Sequence, residues 1–333
     1  MKRLDTLLDL LERYGTVRDL SDFLGSRGIE FANTWDKMKD SLRTSFKKGK
    51  VSEDTLLTYL RDAEEYGRQH VFLFKRVVQG PPVPTQQHIR VWLRDQGAED
   101  VLEKPRVLEL PDEPEVVEVR RDPFDPGTVL VFKIVEARTY DTLVDTTPVV
   151  DGRFSRKYER EIERGVNVVR VHPTGLVEVR VYQHKGGSVH YDAELNKILG
   201  IVDGVIDRTT LHPYTLAKAK KKLYEARHKL AGVVSFSGIN TLDSDGVTHT
   251  SACTRQTNIF EMEKTEKSVA ILTADDDAYH ASLNLYWLKQ EKKRPQEDVH
   301  ALLSGQVNEF AITHRCSRGD YEHVLGQILK FDS

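Results

Sequence analysis

Asn167-Val168-Val169-Arg170-Val171-His172-Pro173-Thr174-Gly175-Leu176-Val177-Glu178-Val179-Arg180-Val181-Tyr182-Gln183 reads as two β-strands joined by a tight turn. The period of two puts Val177, Val179 and Val181 on one face and Glu178, Arg180 and Tyr182 on the other. Strand signals recur on both sides of it. Val129, Val131 and Val135 alternate upstream. Downstream, strands are expected at Val233–Ser237, Ser268–Thr273, Leu283–Leu288 and Val307–Thr313. Two helices are expected among them. One spans Pro213 to Leu230, with Pro213 at its first position and Gly232 at its stop. The other is capped by Ser317-Arg318-Gly319-Asp320 and carries Val324, Leu325, Ile328 and Leu329 on one stripe. Helices and strands do not alternate regularly. The expected fold is therefore α+β, with an antiparallel sheet rather than a doubly wound one.

The N-terminal region has a different period. Leu4, Leu7, Leu8 and Leu11 make one apolar stripe, and Val17, Leu20, Phe23 and Leu24 make a second behind Thr16. Trp35, Met38, Leu42 and Phe46 form a third; Leu56, Leu60 and Ala63, behind Ser52, form a fourth. Four short helices predict a bundle over residues 1–80, because none is long enough to stand alone. His70 to Phe74 is a dense apolar run, either a buried strand or the end of the last helix. Eight of the 12 prolines fall between Pro81 and Pro126, and that stretch holds 11 acidic against 6 basic residues. It reads as an acidic linker over 81–126, with a short helix around Ile89–Leu93 and short strands at Val107–Leu110 and Val116–Val119. Residues 127–333 then form the sheet domain with its flanking helices.

Composition bounds the function. The chain has 333 residues, 39% apolar and 30% charged, with a net charge of -3. That is too apolar for wholesale disorder, and no apolar run is long enough for a membrane helix. Asp5, Asp9 and Glu12 interrupt what could follow Met1-Lys2-Arg3 as an export signal, and Cys253 and Cys316 are too few for a disulfide framework. A cytoplasmic protein is the expectation. With a net charge near zero, any electrostatic function must come from local clustering.

The densest cluster lies on the 213–230 helix. Lys218, Lys220, Lys221, Lys222, Arg227 and Lys229 stand against a single Glu225, beside an apolar stripe of Leu216, Ala219, Leu223, Ala226 and Leu230. Such a face attracts phosphates by counterion release; a solvated helix serving only solubility is the plain alternative. Lys47, Lys48 and Lys50 form a smaller basic group after the third helix. Arg153, Arg156, Lys157, Arg160 and Arg164 mix with Glu159, Glu161 and Glu163, as on an exposed helix or loop.

Chemistry-bearing sets are sparse. His249, Cys253, His314 and Cys316 are zinc-type ligands, but no close Cys-Cys or His-His pair accompanies them. Asp151 with Glu178-Val179-Arg180, and Asp275-Asp276-Asp277 with His280, are carboxylate groupings of the kind metal nucleases use, although Arg180 stands where a titratable lysine is wanted. Gly186-Gly187-Ser188, between His184 and His190, reads as a hairpin turn. No phosphate-cradling glycine loop, dinucleotide fingerprint or nucleophile elbow occurs.

A helical N-terminal region ending in Tyr66-Gly67-Arg68-Gln69-His70-Val71-Phe72, followed by a strand-rich region, resembles the centromere protein N family. The resemblance implies a nucleic-acid-binding adaptor without catalysis.

Three functions are therefore expected in order. The first is a non-enzymatic nucleic-acid-contacting or regulatory protein that uses Lys218, Lys220, Lys221, Lys222, Arg227 and Lys229 with Lys47, Lys48 and Lys50. The second is an adaptor that recruits a protein partner through residues 1–80 and homodimerises through the sheet domain, where open strand edges could pair. The third is a metal-dependent nuclease or hydrolase. No catalytic residue, no metal and no cofactor is assigned, and no membrane association is expected.

Overall fold

A computed structural model describes residues 2–122, 129–149, 153–184, 191–254, 257–274 and 278–332. Among them are nine α-helices and eleven strands, and the pairings with a described register are antiparallel. The fold is α+β. Contacts group the chain into two units that are not sequential: 1–65, 83–170 and 181–206 in the first, and 66–82, 171–180 and 207–333 in the second.

The first unit opens with α1 (Lys2–Tyr14), α2 (Val17–Gly25), α3 (Trp35–Lys47) and α4 (Glu53–Glu65). The four stripes converge on one core in which Leu7, Leu8, Leu11, Leu20, Leu24, Met38, Leu42 and Leu56 are fully buried. The caps are where the sequence placed them. Thr16 Oγ1 accepts from Asp19 N at 3.0 Å, and Ser52 Oγ accepts from Thr55 N at 3.1 Å. Strands β2 (Glu115–Arg121), β3 (Leu130–Val149) and β4 (Arg153–Val171) lie side by side. Between the α4 side and the sheet sits a buried ionic layer. Lys133 Nζ is 2.5 Å from Glu64, Arg164 pairs with Glu64, Arg120 is 2.5 Å from Glu65, and Arg61 is 2.6 Å from Glu118. On the other face α5 (Gln86–Asp95) sets Trp92 edge-on to Phe132 at 5.6 Å, and α6 (Tyr191–Val202) sends Lys197 to Glu136.

The proline-rich stretch packs into this unit through α5 and β2. Val107–Leu110, expected as a strand, is irregular. Pro105 and Pro111 bracket it, and Arg106 N donating to Val117 O at 2.8 Å is its sheet-like bond. The mixed-charge segment 153–164 is neither helix nor loop: it is strand, part of β4, exposed from Ser155 to Ile162 and buried again at Arg164. Period-two reading failed there because both faces are wet, so no apolar alternation was needed.

The second unit orders its strands β5 (Leu176–Tyr182), β1 (Gly67–Arg76), β11 (Glu309–Arg315), β10 (Val299–Leu303), β9 (Tyr279–Trp287), β7 (Val234–Leu242) and β8 (Thr248–Ala252). Strand β6 (Leu211–Pro213) pairs with β1 beside them. Helices α7 (Ala217–Glu225), α8 (Glu263–Leu272) and α9 (Arg318–Asp332) complete the unit. Phe236, Leu285, Trp287, Phe310, Leu223, Tyr321 and Ile328 share its core. The 70–74 run is strand β1. It begins in a bulge at Gly67, where φ is +84° and a Cβ would lie 2.2 Å from His314 O, so no side chain fits.

Two expectations in this unit are corrected. Ser268–Thr273 is helical, as the end of α8. Its Val269 is buried but Ile271 is 75% exposed, and Lys267 pairs with Glu263 at 2.5 Å across one turn. The 213–230 helix is shorter than its pattern. Pro213 belongs to β6, Tyr214 N donates to Leu73 O, and Leu216 N donates to Val307 O, so the helix starts at Ala217. After Glu225 the chain runs through turns to Gly232 at φ +77°.

Candidate nucleic-acid interface

Helix α7 seats Leu216, Ala219 and Leu223 in the core of the second unit. That fixes the direction of every cation on it. Lys220 lies one position from Ala219 and is only 9% exposed. Its Nζ donates to Ala281 O at 2.8 Å, and desolvation lowers its pKa. Arg227 lies in the turn after the helix, its guanidinium stacked 4.1 Å from the Tyr224 ring centroid and 2.5 Å from Glu266. Two of the six expected phosphate contacts are thus internal. The Glu266 carboxyl is held low chiefly by its hydrogen bond from Arg227.

Lys218 and Lys221 are exposed and Lys222 is half-exposed; the spacing of three and four puts them on one helical face. Lys229 is exposed beyond the helix end. Among the described residues no carboxylate lies within ion-pair distance of Lys221, Lys222 or Lys229. The sequence counted charge correctly but could not tell which lysine the helix would turn inward. Lys47, Lys48 and Lys50, in the first unit, are all exposed around the C-terminal end of α3, where the helix dipole favours cations.

Behind α7, His280 is 8% exposed, its ring tilted against Tyr224 with centroids 4.1 Å apart. Burial first, and the charges of Arg227 and Lys220 after it, push its pKa down to about 4. The sign follows from linkage. The unfolded histidine takes up its proton near 6.5 and the folded one near 4, so stability falls as pH drops through that window. An NMR titration should find the His280 ring neutral until pH is near 4; a midpoint near 6.5 would mean that the site is open to water.

The other chemistry-bearing sets come apart. In strand order β8 carries His249 and leads to Cys253, while β11 and its end carry His314 and Cys316; β7, β9 and β10 stand between. Four strand spacings are about 19 Å, too far for one zinc ion. His249 is instead 2.6 Å from Asp243, and Cys253 Sγ donates to Thr257 O at 2.7 Å. Burial pushes the Cys316 thiol up to about 12. Among the described residues no group of three His, Cys, Asp or Glu is placed to hold a metal. Asp151, Asp275–Asp277, Gly186–Ser188 and His190 lie outside the described residues.

Glu178 is the surprise. Both faces of β5 are buried, so the charged side of the alternation is as dry as the valine side. Glu178 accepts from Arg180 Nη2 at 2.7 Å, from Tyr321 Oη at 2.9 Å and from His172 Nε2 at 2.5 Å. Arg180 also lies 3.9 Å from the Tyr321 ring centroid and 5.1 Å from that of Tyr66. Both carboxylate oxygens thus accept hydrogen bonds inside the protein. Opposite charges two apart on a strand were the available signal for this network.

Residues 1–80 divide between the units, with the helices in the first and β1 in the second. Among the described residues, strand β8 ends the strand order of the second unit. No described helix is long and apolar enough to cross a membrane. No protein-family model matches the chain, and no curated protein matches it either.

Proposed function

We propose that the chain is a non-enzymatic nucleic-acid-contacting protein that meets phosphates with the outer face of α7. One observation carries the reading: Lys218, Lys221, Lys222 and Lys229 face solvent, and three of them have no carboxylate to neutralise them among the described residues. Lys47, Lys48 and Lys50 supply a second, separate cationic patch. Lys220 and Arg227, committed internally, drop out of the contact set.

Four phosphate contacts on duplex DNA should give a slope of about -3.6 in log K against log salt. Charge reversal of Lys218, Lys221, Lys222 and Lys229 to Glu should abolish binding in a fluorescence anisotropy titration, while Lys47→Glu/Lys48→Glu/Lys50→Glu should weaken it less. Unchanged affinity in the fourfold α7 variant rules the reading out. A dimerising adaptor, the second reading, is favoured by a separate feature of the first unit, the exposed β3–β4 ribbon.

A further inference from the structure

Beyond Ala137 and Glu163 the two strands of the β3–β4 hairpin leave their covering layers. From Thr139 to Thr147 and from Ser155 to Ile162 every residue is exposed or half-exposed on both faces. A two-stranded ribbon is marginal by itself, so this one is unlike the strands at its base, where Val131, Val135, Val166 and Val168 are fully buried.

The faces of the ribbon can be assigned. Tyr140 Oη donates to Glu161 at 2.9 Å, and Arg160 Nε donates to Asp141 at 3.3 Å. Taking both pairs as directly opposed sets Leu143 opposite Tyr158, Asp145 opposite Arg156 and Thr139 opposite Ile162. Directly opposed residues share a face. One face therefore carries Asp141 and Asp145 along β3, Arg156 and Arg160 along β4, and Leu143, Tyr158 and Ile162 among them. Those three apolar side chains are 47%, 51% and 58% exposed.

The charge pattern selects the occupant. Two carboxylates and two guanidiniums cancel, so a polyanion would meet as much repulsion as attraction on this face. A second copy of the same face is a match. A two-fold axis parallel to the strands lays the acidic β3 row of each copy over the basic β4 row of the other. The same operation sets Leu143 of each copy against Tyr158 of the other, so the apolar residues and the opposite charges are satisfied together. The axis perpendicular to the strands would instead stack acid on acid and base on base.

We propose that the chain self-associates through this ribbon face, copy against copy, with residues 139–147 and 155–162 as the docking arm. The proposal is independent of the α7 lysines. Sedimentation equilibrium of the full chain tests it. The wild type should dimerise; Asp141→Arg/Asp145→Arg alone and Arg156→Asp/Arg160→Asp alone should each associate more than about ten-fold more weakly. An equimolar mixture of the two should recover a heterodimer, and the chain carrying all four substitutions should recover the homodimer. A second measurement holds if a reversal unfolds the ribbon: in a Cys253→Ser background, a Leu143→Cys copy and a differently tagged Tyr158→Cys copy should form a disulfide across the two-fold axis. A wild type that is monomeric at about 100 μM, a dimer indifferent to both reversals, or a mixture that stays monomeric overturns the proposal. So does duplex DNA protecting the ribbon of a monomer, which would assign the arm to nucleic acid.

Discussion

Arg180→Met should cost about 3–5 kcal/mol of stability in urea denaturation, because it strands a charged Glu178 in the interior. Both side chains are 0% exposed. With Arg180 gone, Glu178 still accepts from the Tyr321 hydroxyl and the His172 ring, but neither replaces the full positive charge in a medium of low dielectric. Tyr66 and Tyr321 also lose the cation between their rings. The double variant Glu178→Met/Arg180→Met should be more stable than the single one, since it removes the unpaired charge while keeping apolar volume. A loss below about 1 kcal/mol in the single variant would mean that the carboxylate finds water, and that the network is looser than its geometry.

The first unit should be acid-sensitive through Glu65. Burial by itself would raise this carboxyl, but the Arg120 and Lys133 charges outweigh it and hold the pKa at about 2 against an ordinary 4.5. A carboxylate depressed on folding contributes stability that is fully present above the ordinary value and is lost as pH falls through the depressed one. The window is therefore pH 4.5 to 2, and the loss attributable to this one group is about 3 kcal/mol. Glu136, also lowered against its own burial by Arg138 and Lys197, adds in the same direction. Glu65→Gln should start less stable at neutral pH and show a flatter decline across that window. An equally steep decline in the variant would assign the acid sensitivity to other carboxylates.

Much of this architecture was legible. The four N-terminal stripes, the Thr16, Ser52 and Ser317 caps and the 171–176 turn are local signals. Each is read by residues within a few positions of one another, and each appears in the structure. What failed were segments whose apolar stripe is faint or whose partner is distant. Ser268–Thr273 has a strand composition, but the Glu263–Lys267 pair and the single buried Val269 suit a helix. Pro213 looks like a helix start until β1 claims it through Phe74. Helix α6 buries only Ile198, Leu199 and Val202, which is too faint a stripe to see against Asp192 and Glu194.

The candidate sites divide in the same way. Which residues are basic on α7 is written in the chain, and so is the Leu216-Ala219-Leu223 stripe that orients the helix. That Lys220 points at Ala281 O and Arg227 at Glu266 is not, because β9 and α8 supply those partners from 61 and 39 positions away. Sequence alone determined the composition of each helix and strand and the side each should bury, since periodicity is a property of neighbours. Tertiary structure decided which charges stay in water, because desolvation depends on what packs against a side chain, and no local pattern records that.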